Sequence, residues 1–232
     1  MNRFNLIFFS VFFSLTIYSQ NDPFEEINQI THNINDEVDK NFALPLAKAY
    51  VNVMPDKLET GVSNFVANYE DVNIGINNLL QGKFKDGFSD ILRLFINSSI
   101  GILGFFDVAS GLGLEKHDED FGQTLGYWGV PSGAYIVLPF LGPSSVRDTV
   151  ARIPDAFLGG LFFIDHERTG YELTLVELLE TRARYLGMES LIIGDEYLFY
   201  KDAYFQNREY EIVDGKIDDS FDDFDSDFEE DF

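Results

Sequence analysis

The apolar residues of the chain recur at intervals of three and four positions, the spacing that places side chains on one face of an α-helix. After Asp22-Pro23, a pair typical of a helix start, the first stripe consists of Ile27, Ile30, Ile34 and Val38, and the opposite face of this predicted helix is rich in asparagine. Further stripes predict helices at Leu58–Tyr69, Val72–Leu80, Phe88–Ile96, Leu175–Leu186 and Asp195–Tyr210. The alternation of a strand is nearly absent, and Tyr135–Leu138 is the best short candidate. The pattern therefore predicts an all-α fold.

Two glycine-rich segments do not fit an ordinary helical bundle. Residues 97–114 hold four glycines with Asp107 as their one acid, and residues 121–148 hold five glycines and three prolines beside the Tyr127-Trp128 pair. Glycine and proline at this density interrupt regular helices. Two interpretations are open: irregular loops that cover the core, or segments in a membrane interface, where tyrosine and tryptophan rings prefer to sit. In the second case Asp107 is costly unless it faces a polar cavity or a partner, which makes it a candidate site.

The first residues have the order of a secretory signal peptide. Arg3 is followed by an apolar run, Leu6–Tyr18, that is shorter than the ~20 residues which a spanning helix needs. We therefore expect residues 1–19 to be a signal peptide, residues 20–213 to be one helical domain and residues 214–232 to be an acidic, disordered tail. A retained membrane anchor is the alternative for the first segment. Since no cysteine follows the run, we expect the chain not to be a lipoprotein.

The charge balance excludes one class of partner. The chain has 16 Lys and Arg residues against 40 Asp and Glu residues, which gives a net charge of -24 at pH 7. Nucleic acid is excluded, because binding it requires cationic side chains that displace counterions. Purely electrostatic docking on anionic lipid is disfavoured for the same reason. The chain contains no cysteine, which excludes disulfides, thiolate nucleophiles and cysteine-bound metals.

Motifs of known enzyme classes are missing from the sequence. There is no nucleophile elbow, no P-loop and no zinc-protease motif. The histidine–acid clusters at 117–120 and 165–167 could help to hold a metal if the fold joined them, but such clusters are more often polar helix starts or loops. We therefore expect no metal site, no cofactor and no enzymatic activity.

The acidic tail carries a regular aromatic pattern. Residues 214–232 include ten acids and one lysine. A helix would place four phenylalanines of the tail on one face: Phe221, Phe224, Phe228 and Phe232. The tail is either a solvated acidic segment or a partner-docking helix that forms on binding.

Long motifs in the glycine-rich segments resemble signatures of the MlaA (VacJ) family. They are Asn97-Ser-Ser-Ile-Gly-Ile-Leu-Gly-Phe-Phe-Asp-Val-Ala109 and Phe121-Gly-Gln-Thr-Leu-Gly-Tyr-Trp-Gly129, continuing through Leu138-Pro-Phe-Leu-Gly-Pro-Ser-Ser-Val-Arg-Asp148. Shorter matches flank them: Asp22-Pro23 with Asn28, Asn64-Phe65 with Asn68, Asn78–Gly82, Arg182-Ala183 and Asp202–Gln206. The resemblance covers about residues 22–212.

This resemblance implies a ring-shaped, all-helical protein on the periplasmic face of the outer membrane. Its amphipathic channel would remove phospholipids misplaced in the outer leaflet and pass them to a periplasmic MlaC-like carrier, which maintains lipid asymmetry. A trimeric porin is the implied membrane partner. The alternative is an envelope scaffold that lies on the membrane and transports nothing.

The resemblance also directs attention to particular side chains. We place the charges of Asp107, Arg147 and Asp148 near the lipid path or its mouth, although Arg147 and Asp148 fit a helix start equally well. Gly101 and Gly104 are expected to allow close backbone packing there. Five aromatic residues are expected to contact lipid, although some of them could instead pack in the core: Phe105, Phe106, Tyr127, Trp128 and Phe140.

Overall fold

The computed structural model describes residues 22–158 and 167–216 and confirms the predicted all-α class. The predicted signal peptide and the four tail phenylalanines lie outside the described residues. In chain order the elements are α1 (Glu25–Val38), a π-helical turn (Asp39–Ala43), α2 (Leu44–Val53), α3 (Asp56–Leu80), α4 (Phe84–Ser99), α5 (Val108–Gly111), α6 (Phe121–Tyr127), β1 (Tyr135–Leu138), β2 (Gly142–Ser145), α7 (Val146–Ala156), α8 (Glu167–Arg184), a 3-10 turn (Met188–Leu191) and α9 (Glu196–Ile212).

Most predicted elements are present, with two differences. The stripes predicted as separate helices before and after position 70 form one continuous helix, α3, of 25 residues. The predicted strand is present as β1, and it pairs antiparallel with β2, so that Tyr135 lies opposite Ser145 and Leu138 opposite Gly142. The sequence of β2, Gly-Pro-Ser-Ser, has no apolar alternation and gave no signal of a strand.

Helix α1 turns its polar face inward. Ile27 and Ile30 are 65% and 60% exposed, whereas Asn28 is 1% exposed. The Asn28 side chain donates to the carbonyl oxygen of Tyr135 at 2.9 Å and accepts from the backbone N–H of Val137 at 2.9 Å. The asparagine-rich face of the sequence pattern is therefore the one that holds β1.

Helix α4 is inverted in the same way. Its four exposed large apolar residues follow a helical stripe: Phe84, Phe88, Leu92 and Phe95. Its buried residues are glycine or polar: Gly87, Asp90, Arg93 and Asn97. An amphipathic helix of a water-soluble protein buries its apolar stripe, so this helix is oriented for an apolar surrounding.

The large side chains that are fully buried in the described part of the chain are all polar. The largest fully buried side chains are Asn28, Asn77, Asn78, Thr124, Asp71, Asp90, Ser144 and Ser145. A small apolar cluster consists of Tyr135, Val137 and Tyr197, with Tyr204 and Phe205 beside them. The other buried apolar residues among those described are Ala47, Val66, Ile74, Ala109, Ala151 and Ala183. Within the residues described, none of the helices combines the length and the apolarity needed to cross a membrane.

One carboxylate joins the two ends of the described chain. Asp22 accepts hydrogen bonds from the backbone N–H of Phe24 and the side chain of Asn28, both at 3.2 Å, at the start of α1. Its other oxygen accepts from the hydroxyl of Tyr197 and, at 3.3 Å, from the ammonium of Lys201, both on α9. The beginning of α1 is therefore fastened to the last helix.

Helices α3 and α4 cross where both carry glycine. A Cβ on Gly87 would lie 2.8 Å from the carbonyl oxygen of Gly75 and 2.8 Å from the side chain of Leu79. A Cβ on Gly75 would lie 2.9 Å from the side chain of Ile91. The two backbones can approach this closely only because neither position has a side chain.

We expect Gly87→Ala to lower the free energy of unfolding by about 1–3 kcal/mol, because the added methyl group overpacks a backbone contact. The loss should occur although alanine is the better helix former. Gly111→Ala is the control, since nothing lies within 4 Å of a Cβ there. The measurement is denaturant unfolding in detergent, followed by circular dichroism. Equal stabilities of the two variants would contradict the close crossing.

Candidate functional site

A cavity of about 690 Å³ lies among α3, α7, α8, α9, the loop before α6 and the hairpin of β1 and β2. Its apolar lining includes Phe65, Val66, Ile74, Leu141 and Leu178. Its charged lining includes Glu70, Asp118, Glu119, Asp120, Asp148, Arg152, Asp155, Glu177 and Arg208. The wall is therefore amphipathic, and its volume lies in the range of small-molecule sites, about 300–1,000 Å³.

Asp148 anchors one wall of the cavity. Ser145 caps α7 by accepting from the backbone N–H of Asp148 at 3.2 Å, which places this carboxylate in the first turn of the helix. Its oxygens accept from Nε of Arg147 at 2.7 Å, from Nε of Arg208 at 3.0 Å and from the hydroxyl of Tyr204. Burial disfavours the charged form, but these bonds and the charge of Arg208 outweigh it and lower the pKa of Asp148 to about 2.

Arg208 connects α9 to two other elements. Its guanidinium contacts Asp148 at 3.0 Å, Asp120 at 2.7 Å and Glu211 at 3.0 Å. Asp120 also caps α6 by accepting from the backbone N–H of Gln123 at 2.7 Å. Since this arginine is engaged by three carboxylates, its role is to fix the helices around the cavity.

A second group of ionisable side chains lies on the facing walls of the cavity. Burial raises the pKa of Glu70, on α3, to about 7, and the charges of Glu177 and Asp118 add to the rise while Lys116 opposes it. Burial also raises the pKa of Glu177, on α8, against the opposing charge of Arg152 on α7. Helices α3, α8 and α7 thus bring two carboxyls and one guanidinium to the same cavity. Nearby cations do not fully offset the effect of burial on the pKa of either carboxyl.

Glu119, another acidic residue of the cavity wall, is bound by side chains that lie outside the cavity. Glu119 accepts from Lys83 at 2.7 Å and from the side chain of Gln81 at 2.6 Å. Lys83 also contacts Asp214, just after the end of α9. Burial raises the pKa of Glu119, although Lys83 and Gln81 oppose the rise. These contacts tie the loop before α6 to the start of α4.

Asp107 lies away from the cavity, at the junction of α4 and α5. It caps α5 through the backbone N–H of Ser110 at 3.1 Å and accepts from Arg93 at 3.2 Å and from Asn97 at 3.0 Å. Burial acts against its charge, but the bonds from Ser110, Asn97 and Arg93 lower the pKa of Asp107 to about 2. Asn97 also accepts from the backbone N–H of Ala109 at 2.9 Å. Asp107, which the sequence predicted as a candidate site residue, thus holds segment 97–114 against α4.

The predicted aromatic residues divide between packing and exposure. Phe105 is half-buried and lies over Gly61, where a Cβ would be 2.1 Å from its ring. Phe106 packs edge-to-face on Phe105 but is itself exposed. Tyr127, Trp128 and Phe140 are exposed at the surface, and the indole N–H of Trp128 donates to the carbonyl of Leu80 at 3.2 Å.

The two predicted glycines are sites of close backbone approach. A Cβ on Gly101 would lie 2.1 Å from the carbonyl oxygen of Phe106. Gly104 has a φ of +92°, and a Cβ there would lie 2.5 Å from the Cβ of Asn68 on α3. Segment 97–114 can therefore fold back on itself and on α3 only with glycine at these positions.

Of the predicted site residues that the structure describes, Asp148 is the one that lines the cavity. Arg147 stands behind it as its ion-pair partner. The sequence analysis did not identify Glu70, Arg152, Glu177 or Arg208, because each is one charged position among many on an amphipathic helix. Of the two histidine–acid clusters, residues 165 and 166 lie outside the described ranges, and the described residues contain no group of metal ligands.

Comparison with known proteins gives consistent results. The family model described as MlaA lipoprotein matches residues 20–211. The "Intermembrane phospholipid transport system lipoprotein MlaA" of Escherichia coli (strain K12) is 33% identical over 205 residues, which cover 85% of this chain and 81% of the relative. The protein of the same name from Haemophilus influenzae is 30% identical, over 88% of this chain and 84% of the relative.

A solved structure from "Structural basis for maintenance of bacterial outer membrane lipid asymmetry" superposes with a TM-score of 0.75. The two chains are 30% identical, and the match covers 83% of this chain and 99% of the other.

These comparisons correct one expectation. The chain was expected not to be a lipoprotein, but the family and the relatives from Escherichia coli, Shigella flexneri and Haemophilus influenzae are all named as lipoproteins. The expectation was wrong because it rested on one residue type after one apolar run.

We expect Asp148→Asn to lower the free energy of unfolding at pH 7 by about 3–5 kcal/mol, because Arg147 and Arg208 lose the charge that compensates them in a buried setting. The pKa of Asp148 lies near 2, below the value of about 3.9 for an unfolded chain. Its stabilisation is therefore present at neutral pH and is lost as the pH falls from about 4 towards 2. Asp36→Asn, which removes an exposed pair with Lys40, is the control. Chemical unfolding at pH 7 and pH 3 should show a smaller loss of stability on acidification in Asp148→Asn than in wild type, since Asp107, with its pKa near 2, still contributes in both.

We expect Gly104→Val to displace segment 97–114, because it adds both a strained φ and a clash with Asn68. Gly113→Val is a matched control: its φ is +83°, but nothing lies within 4 Å of a Cβ. Gly104→Val should therefore lower the melting temperature more than Gly113→Val and should increase protease cleavage within 97–114. Equal behaviour of the two variants would show that only the φ strain matters.

Proposed function

Since the chain belongs to the MlaA lipoprotein family, we propose that its cavity is a passage that removes misplaced phospholipids from the outer leaflet of the outer membrane. The relatives are named as components of an intermembrane phospholipid transport system. The lipid would move without any covalent change, so the proposal assigns no catalytic step to the chain.

The observation that carries this proposal is the inverted polarity of the fold around an amphipathic cavity. Exposed apolar faces on α1 and α4 would contact acyl chains, and polar side chains line the interior. Buried polar groups need hydrogen-bond partners in an apolar environment, and the inner faces of the helices supply them to one another. Such a molecule is suited to lie within one leaflet with a polar path at its centre.

The cavity has the two kinds of surface that a phospholipid requires. Phe65, Ile74 and Leu178 offer an apolar wall for acyl chains. Arg152 and the carboxylates offer polar groups to the head group. The glycine-rich segments with exposed Phe106, Trp128 and Phe140 would lie at the membrane interface, where aromatic rings prefer to sit.

The proposal extends to the partners of the path. A periplasmic MlaC-like carrier would receive the lipid, and a trimeric porin would hold the chain in the outer membrane. The resemblance of residues 22–212 to the MlaA family supports both assignments. The phenylalanine stripe of the tail remains a candidate docking helix for the carrier.

The test is complementation of a deletion strain, with phospholipid exposed in the outer leaflet measured by a membrane-impermeant amine reagent. Deletion should raise the exposed lipid, and wild type should reverse the rise. Thr181→Trp places a large ring in the cavity from α8 and should lose most of the rescue. Val176→Trp adds the same ring at an exposed position on the same helix and should rescue.

Protein levels must be matched among the strains, so that reduced rescue reports on function. No rise in the deletion strain would contradict the lipid-removal role. Full rescue by Thr181→Trp would contradict passage through this cavity, and the scaffold interpretation would then explain a phenotype that does not depend on the cavity.

A further inference from the structure

We propose that the cavity prefers zwitterionic phospholipids with a primary ammonium, with Glu70 and Glu177 binding the ammonium and Arg152 binding the phosphate. The proposal rests on the proposed function and specifies which lipid the passage accepts. It concerns three side chains that lie on α3, α8 and α7 and line the same cavity.

The charge of the cavity wall disfavours anionic head groups. Among the lining residues that the structure describes, seven are carboxylic acids and two are arginines. Arg208 is engaged by Asp120, Asp148 and Glu211, so it offers little to a ligand. A head group with a net negative charge would meet an excess of carboxylates, whereas a zwitterion brings a cation to them.

Glu70 and Glu177 lack full compensation by nearby cations. The charge of each is opposed by burial more strongly than by any neighbouring group, and the charge of Glu177 acts on Glu70. Buried carboxylates are costly without a compensating cation. An ammonium placed between them would supply that cation and three N–H donors.

Arg152 completes a site of two opposite charges. It lies close enough to Glu177 for its charge to act on that carboxyl. A guanidinium matches the geometry of phosphate oxygens and binds them with two parallel hydrogen bonds. An ammonium and a phosphate are separated by only two carbons in an ethanolamine head group, which fits one anionic and one cationic wall within a single cavity.

The charge state of Glu70 makes the preference depend on pH. Four charged groups act on this side chain: Lys116 and Asp118 from the loop before α6, and Glu177 and Arg184 from α8. Because the pKa of Glu70 is raised to about 7, the carboxyl is mostly neutral at pH 6 and mostly ionised at pH 8. Attraction of an ammonium should therefore be stronger at pH 8.

The experiment measures the lipids retained by the purified full chain from detergent micelles that contain equal amounts of phosphatidylethanolamine and phosphatidylglycerol with identical acyl chains. At pH 8 wild type should retain about two- to fivefold more phosphatidylethanolamine, the factor expected for a partly exposed ion pair. The ratio should fall towards one at pH 6. Glu70→Gln should reduce the pH dependence, and Glu177→Gln should lower the ratio at both pH values.

Two further variants separate charge from structure. Glu26→Gln makes the same charge change on the exposed face of α1 and should leave the ratio unchanged. Arg152→Gln should reduce the retention of both lipids, because both have a phosphate. Circular dichroism should show the same helical content in all variants.

Equal retention of the two lipids by wild type at pH 8, or a ratio that neither glutamate variant changes, would overturn the inference and leave the proposed function intact. Retention of neither lipid by wild type would overturn the proposed function itself.

Discussion

The fold depends on hydrogen bonds between polar side chains on the inner faces of its helices. Asp90 of α4 is completely buried. It accepts a hydrogen bond from Asn78 of α3 at 3.0 Å and contacts the ring of His117 at 3.0 Å. A buried polar group without a partner costs more than a satisfied one contributes, so such a network tolerates few alternative arrangements. The same requirement sets the position of Asn28 against β1 and of Asp107 against α4. Specific polar contacts, rather than apolar packing, therefore determine how these helices are arranged.

This arrangement leaves the apolar side chains for the exterior. In water the exposed stripes of α1 and α4 would be unfavourable, and in a bilayer they replace contacts between lipid chains. Glycine has a complementary role, because Gly75, Gly87 and Gly104 let backbones approach where a side chain would separate them. The cavity lies on another side of α3, among α3, α7, α8 and α9, and its wall combines apolar side chains with charged ones.

The sequence predicted the helices with long apolar stripes well, but it missed α2 and α7 and predicted the orientation of the helices poorly. The periodicity of α4 gives its bounds to within a few residues, since a stripe at helical spacing is a local property. The same stripe is compatible with facing a core or facing lipid, and the asparagine-rich face of α1 was the one local sign that polar residues face inward.

Glu70, Arg152 and Glu177 could not be chosen from the sequence, because they belong to three helices and meet only in the folded chain. The strand β2 was missed because its residues pair through the backbone and carry no alternation. Asp148 was selected through its motif, whereas Asp107, selected as the one acid of residues 97–114, organises a segment away from the cavity.

The contacts between Asp22 and α9 link the start of α1 to the wall of the cavity. Asp22 is fastened to Tyr197 and Lys201, and one and two turns further along the same helix Tyr204 and Arg208 contact the cavity residue Asp148. One continuous helix, α9, thus makes both the contacts of Asp22 and the contacts of the cavity wall. The start of α1 and the wall of the cavity therefore share one support, and the position of α9 sets both.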